Sequence, residues 1–449
     1  MKNLREEWDK YGDSNLSPGE NFNKNTVKRA KFKINWEDWP SFAAGESTGR
    51  SADTKLFYYE VEKNFYDEMY DYIKSLGTKA LVTGSNHWEK WDADLLVNSK
   101  YDFIDRHTYW DHPSGGWTFQ ENIAFHNRPM LKTKQNSVAE LAHCRVYGKP
   151  FTVSEWNMLP PNEHVAGSPL LMASYAAFQG WDAMMQFNYA TYEWENMLTH
   201  FADFSRNPVV ISNWFPAVKA YMDSYVSAGS RKIVDFIPRE SIFFSKKRSF
   251  SLINSGYAAP LMIKSYKTFD KNNESKLFDP KTKKSAALST TGELYWNFKK
   301  GLFQINAEKI QGACGFLDKA QKPLQFNNLK LRSRNKYASI FITSLDGKAL
   351  SSAKKIILNT TARVDNSGAK YSPAHTSVIY GGTRPVIIEP VYSEIEIEIN
   401  GFKDAVVYKL DANNYKDGEY GNYSTNSGTI TIKTDENSKC LNYYVEIKR

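Results

Sequence analysis

From residue 79 to about residue 225 the chain alternates short apolar runs with amphipathic or small-residue runs. Each apolar run ends in polar and aromatic residues. Lys79-Ala80-Leu81-Val82-Thr83-Gly84 leads to Ser85-Asn86-His87-Trp88. Tyr101-Asp102-Phe103-Ile104-Asp105 leads to Arg106-His107-Thr108-Tyr109-Trp110. Phe151-Thr152-Val153 leads to Ser154-Glu155-Trp156-Asn157, and Asp182-Ala183-Met184-Met185-Gln186-Phe187 leads to Asn188-Tyr189. Helical patterns follow over residues 137–147, 169–179 and 216–227, and a long amphipathic helix over residues 53–76 precedes them. Such alternation calls for a parallel sheet covered by helices. Four units in a row describe half of a (β/α)8 TIM barrel. An open doubly wound sheet would need a glycine-rich phosphate loop between a strand and a helix. Gly115-Gly116 lies instead in the long loop over residues 111–132.

The pattern changes near residue 230. Short strand-like runs separated by Gly, Asn, Asp and Ser turns continue to the end, among them residues 233–237, 241–244, 250–253, 339–344, 395–399 and 443–447. This is the texture of β-sandwich domains, one or two in number. The fold class is therefore α/β plus all-β. An irregular segment spans 1–52, the half-barrel 53–230 and the sandwich part 231–449. A short helix is expected over residues 4–11, and tryptophans stand at Trp36 and Trp39.

Composition narrows the function classes. The net charge is +8, but Lys and Arg are scattered, as in Lys246-Lys247-Arg248 and residues 281–284. A nucleic-acid arm would concentrate them. No apolar run is long enough to span a bilayer. Cys144, Cys314 and Cys440 match no metal spacing, and no metal or organic cofactor is expected. The opening residues hold no apolar signal core. That leaves a cytoplasmic protein or one whose beginning precedes Met1, and the compartment is open. Aromatic residues make up 14% of the chain, which suits stacking on sugar rings as well as core packing.

Glu155 is the candidate that the chemistry singles out. A carboxylate at the end of a buried strand is costly unless it is paired or used, and the ends of barrel strands carry catalytic groups. Taken in order, the strand ends at Asn86-His87-Trp88, His107-Tyr109-Trp110, Glu155-Trp156-Asn157 and Asn188-Tyr189 resemble strands five to eight of the clan A glycoside hydrolases. The resemblance covers roughly residues 54–225. It implies retaining hydrolysis of a polysaccharide or oligosaccharide, with Glu155 as nucleophile. His107 and Tyr109 would touch that nucleophile, and Asn188 and Tyr189, with Trp181 nearby, would floor a sugar subsite. The other residues expected around the substrate are Asn86, His87, Trp88, Trp110, Trp117, Trp156 and Asn157, with Asn157 a further donor to the nucleophile. The residues after 230 resemble the accessory sandwiches of such enzymes.

The family uses a second Glu, the acid/base, after strand four. No counterpart is found, and Glu46, Glu89 and Glu193 are weak stand-ins. The chain then reads as the C-terminal portion of a longer, secreted or periplasmic enzyme. Its open edge would be covered by a missing N-terminal half-barrel or by a homodimer. Two other readings stand beside this one: a non-catalytic carbohydrate-binding protein, and a lyase using His107 and Tyr109 as base and acid on a uronate polymer.

Overall fold

The computed structural model describes residues 18–28, 32–33, 41–42, 48–86, 92–119, 121–190, 197–244, 258–275, 285–424 and 428–448. The protein is a mixed α/β structure dominated by antiparallel strands, with one parallel sheet in its N-terminal half. Among the described residues no helix is long and apolar enough to cross a membrane. The expected helix over residues 4–11, Trp36, Trp39, Glu46, Lys246–Arg248, the run 250–253 and residues 281–284 lie outside the described residues.

Helix α1 (Thr48–Ser75) is 28 residues long. One side, with Leu56, Tyr59, Tyr66 and Tyr70, packs near the short helix α2 (Asp92–Asn98). The opposite side carries Phe57, Val61, Phe65, Met69 and Tyr72, all exposed, as is Leu76 just past its end. The parallel sheet follows. Strand β1 (Ile104–Trp110) pairs with β2 (Phe151–Met158), which pairs with β3 (Ala183–Gln186).

Residues 79–84, expected as a strand of this sheet, do not form one. They run beside the entry to β1, where Asp102 N–H donates to Val82 O at 3.0 Å and the Thr83 hydroxyl donates to Phe103 O at 2.7 Å. The Asp102 carboxylate accepts from Val82 N–H at 2.8 Å. A side chain thus takes the place of the next ladder bond.

Helix α3 (Ser137–His143) links β1 to β2, and Asn136 caps it by accepting from Ala139 N–H at 3.0 Å. It ends four residues before the limit expected from periodicity. Helix α4 (Ser168–Gln179) is buried on every side. Its entry at Gly167 has φ +80°, and a Cβ there would meet Cys314 Cβ at 2.8 Å and Ser339 Oγ at 2.9 Å. Glycine is needed both for the turn and for the close approach. Helices α5 (Pro208–Ser212) and α6 (Trp214–Tyr221) follow β3, and α6 packs along α4.

The boundary at residue 230 is not where the architecture changes. Strands β4 (Lys232–Phe236) and β5 (Lys264–Thr268) form a parallel pair, and β5 runs beside the Val146 region. Residues 241–244, expected as a strand, belong to helix α7 (Arg239–Phe244). Pro238 precedes it, and Ile242 and Phe243 are buried against the α1 side. Phe243 meets Tyr59 edge-on at 5.2 Å between ring centroids. The change to antiparallel sheets comes near residue 285.

Beyond it stand a nine-stranded and a four-stranded antiparallel sheet. Ile340, Ile342, Leu358, Val407 and Val445 of the large sheet share one core with Leu331, Ile395, Ile397 and Ile432 of the small one. The other face of the large sheet, with Trp296, Phe303 and Phe341, shares a core with Tyr175 and Phe178 of α4 and with Phe151, Val153 and Trp156 of β2. The layers are therefore parallel sheet, α4, large sheet, small sheet.

Two predictions follow from this packing. Lys267 and Asp92 form an ion pair with both side chains almost fully buried. Lys267→Met leaves the carboxylate without its ammonium and is expected to cost about 3–5 kcal/mol in urea unfolding, and Lys267→Met/Asp92→Leu is expected to recover most of that. His164 packs against Phe316 and Tyr337, and burial pushes its imidazole down to about 4. The unfolded ring, near 6.5, binds more protons than the folded one between pH 6.5 and 4, so stability falls as the pH drops through that window. His164→Phe is expected to flatten that slope, read as the thermal midpoint against pH.

Candidate active site

The two faces of the parallel sheet differ in kind. Trp110, Phe151, Val153, Trp156 and Met158 enter the core shared with α4. Asp105, His107 and Tyr109 alternate onto the other face of β1, where the last two are only partly buried. In β2 the alternation breaks. Asp105 pairs with Thr152 and His107 with Glu155, so three steps along β2 match two along β1. On the other side Val153 pairs with Met184 and Trp156 with Gln186, again three steps against two. One extra residue at Ser154–Glu155 forms a bulge against both neighbours, a device that re-aims side chains. It brings Ser154 and Glu155, adjacent in sequence, to the same polar face.

Glu155 does not end its strand, because β2 continues for three residues beyond it. Its side chain is 32% exposed. The Tyr109 hydroxyl donates to Glu155 Oε2. His107 Nδ1 lies 3.3 Å from the same oxygen. Burial, and then the Glu155 contact, raise the Tyr109 phenol well above its usual range, so it remains a donor. Behind His107, its Nε2 is 2.8 Å from Ser154 Oγ. The Ser154 hydroxyl donates to Asp105 Oδ2, the Ser154 N–H donates to Asp105 Oδ1 at 3.1 Å, and the Thr152 hydroxyl donates to the same Oδ1.

An aromatic wall stands beside this group. Trp117 approaches Tyr109 edge-on at 5.9 Å and His112 at 4.4 Å, and stacks on His200 at 5.7 Å with planes 3° apart. Burial lowers the pKa of His112 and His200, which keeps both rings neutral near pH 7. The Phe187–Asn188 peptide bond, at the end of β3, is cis.

Of the residues expected at the site, Glu155, His107 and Tyr109 meet directly, and Trp117 lies one contact away. Asn157 is not a donor to Glu155. Its amide donates to Phe187 O at 2.6 Å and Ala202 O at 2.9 Å, and bolts β2 to the segments after β3. Trp110, Trp156 and Trp181 are core residues, and Trp110 Nε1 donates to Arg128 O. Asn188 pairs its backbone with Ala202 and Phe204. Tyr189 is 59% exposed and meets Phe204 edge-on at 5.7 Å. Asn86 is exposed at the end of its segment, while His87, Trp88, Glu89 and Glu193 lie outside the described residues. Asp105, Ser154 and His200 escaped the sequence reading. For Asp105 the signal was its spacing of two from His107, the period of one strand face.

The large sheet's domain reaches the site. Two short hairpins, Val364–Ser367 with Thr383–Ile388 and Lys370–Tyr371 with Val378–Tyr380, extend toward it. Val378 exchanges backbone bonds with Asn122 and Ile123 at 2.9 Å each. Asn366 Oδ1 accepts from Leu198 N–H and its amide donates to Leu198 O, both at 2.8 Å. Two residues on, His200 bridges to Thr118, beside Trp117.

No group of three His, Cys, Asp or Glu that could hold a metal ion occurs among the described residues. No protein-family model, curated protein or solved structure matches this chain.

The Asn366 clamp yields a prediction. Asn366→Ala leaves both Leu198 backbone groups without that partner, at a cost of about 1–3 kcal/mol. Amide hydrogen exchange over residues 117–119 and 198–202 is expected to accelerate, with residues 151–158 unchanged.

Proposed function

We propose that the chain is a retaining O-glycoside hydrolase acting on a polysaccharide or oligosaccharide, with Glu155 as nucleophile. The observation that carries this reading is the convergence of Tyr109 and His107 on one oxygen of a carboxylate about one-third exposed, beside an aromatic wall. A nucleophilic carboxylate must stay ionised and must be held in one orientation, and two polar groups on one oxygen suit both needs. Trp117, in edge contact with Tyr109, supplies the apolar ring for stacking on a sugar.

In retaining hydrolysis Glu155 attacks the anomeric carbon, and a second carboxyl about 5 Å away protonates the leaving oxygen. Asp105 is unsuited to that second role, being buried behind His107 with three donors on it. We place the acid outside this group of residues, on elements that cover the Glu155 face. Two observations support this. Parallel sheets are covered on both faces, whereas the Glu155 side chain here is 32% exposed. The apolar stripe of α1 is bare. The alternative, a carbohydrate-binding protein that cuts no bond, is favoured by the state of Asp105, a second carboxyl in this group that is buried and held by three donors.

The test is labelling with 2-deoxy-2-fluoro glycosides bearing activated leaving groups, which need no general acid. Peptide mapping is expected to place the glycosyl ester on Glu155, and Glu155→Gln to remove it. Tyr109→Phe is expected to slow labelling roughly 10- to 100-fold, the worth of a hydrogen bond to a charged group. Label on any other residue overturns the assignment. Glycan binding without label in a complete assembly selects the alternative.

A further inference from the structure

The groups behind Glu155 leave little freedom in where protons sit. Asp105 is buried and faces three donors, the Thr152 hydroxyl, the Ser154 N–H and the Ser154 hydroxyl. A carboxylate offers only lone pairs, so the single hydroxyl proton of Ser154 is directed to Asp105. Ser154 Oγ is then left with lone pairs toward His107 Nε2, 2.8 Å away, and that nitrogen must be the donor. Nδ1 is turned toward Glu155 Oε2 at 3.3 Å. A bare Nδ1 there would set lone pair against lone pair. The contact becomes attractive with one proton between the two atoms, on the ring as an imidazolium or on Glu155 as an acid.

We propose that Asp105 and Ser154 are positioning residues that fix His107 with its proton on Nε2, and thereby make His107 Nδ1 and Glu155 share one further proton. The role in catalysis rests on the hydrolase reading above; the tautomer does not, since it belongs to the resting protein. With the shared proton on His107, Glu155 is ionised and its lone pair is free. That pair forms the bond to the anomeric carbon, the glycosidic bond pair leaves with the departing oxygen, and the His107 proton stays on the ring. With the shared proton on Glu155, attack is blocked. The groups facing the ring are the Glu155 and Asp105 carboxyls, the Ser154 hydroxyl and, through Glu155, the Tyr109 phenol.

The experiment is nitrogen-15 NMR of the histidine rings in the full chain, with His107 assigned by its loss in His107→Gln. In the wild type Nε2 is expected to keep its directly bonded proton while only Nδ1 gains or loses one. Asp105→Asn reverses the order. The new amide NH2 takes the Oδ2 position and donates to Ser154 Oγ, which frees the Ser154 hydroxyl to donate to Nε2. The ring proton is then expected on Nδ1, with the one-bond N–H coupling moving to that nitrogen. Ser154→Ala is expected to release the preference, and Ser154→Thr, which keeps the hydroxyl, to restore it. A wild-type ring with bare Nε2 overturns the proposal, as does an Asp105→Asn protein that is folded and keeps the wild-type pattern. A fluoroglycoside label away from Glu155 with the expected tautomer sinks the hydrolase reading alone. Label on Glu155 with a bare Nε2 sinks this inference alone.

Discussion

Helix α4 has no side facing solvent, and the rest of the architecture follows from how it is enclosed. One flank takes the apolar face of the parallel sheet and the other takes the large antiparallel sheet, within a single continuous core. An interior of this kind is close-packed, so neither sheet can shift without disturbing the other. With Phe151, Val153 and Trp156 held on α4, Glu155, His107 and Tyr109 are left on the opposite face. The hydrophobic layer thereby decides where the chemistry can be.

This enclosure also explains which parts of the molecule were legible in sequence. The apolar run of β2 and the small-residue run of α4 bury strongly, and both were plain. The strand expected over residues 79–84 failed because the Asp102 carboxylate took a backbone donor that a ladder would have used. The segment 241–244 reads as a β-rich run, yet tertiary packing on α1 made it helical, a usual override of local propensity. The parallel pair β4–β5 was missed for the same reason: its partners are set by α3 and the Val146 region rather than by local pattern. Within the site, Glu155, His107 and Tyr109 were legible because they share a face once strands are placed. Trp110 and Trp156, one step along from Tyr109 and Glu155, turn to the core by strand alternation, and the Asn157 amide is taken by Phe187 O and Ala202 O.

The sandwich is more than an appendage. Trp296 and Phe303 complete the core around α4, and Asn366 reaches past that core to the segment bearing His200. Support from two directions suits a constellation that must be held to within fractions of an ångström. It also means that the aromatic wall is built by segments far apart in sequence, residues 112–119, 198–200 and 366, which no short motif could have announced.

The bulge in β2 has a meaning of its own. The aim of Glu155 depends on a count, one residue more than either neighbouring strand. Deleting Ser154 removes the extra residue and with it the juxtaposition of Ser154 and Glu155, while the core residues Val153 and Trp156 stay in the chain. A descendant sequence one residue shorter here keeps the layers of the fold and loses the site, so kinship in shape alone is a poor guide to shared activity.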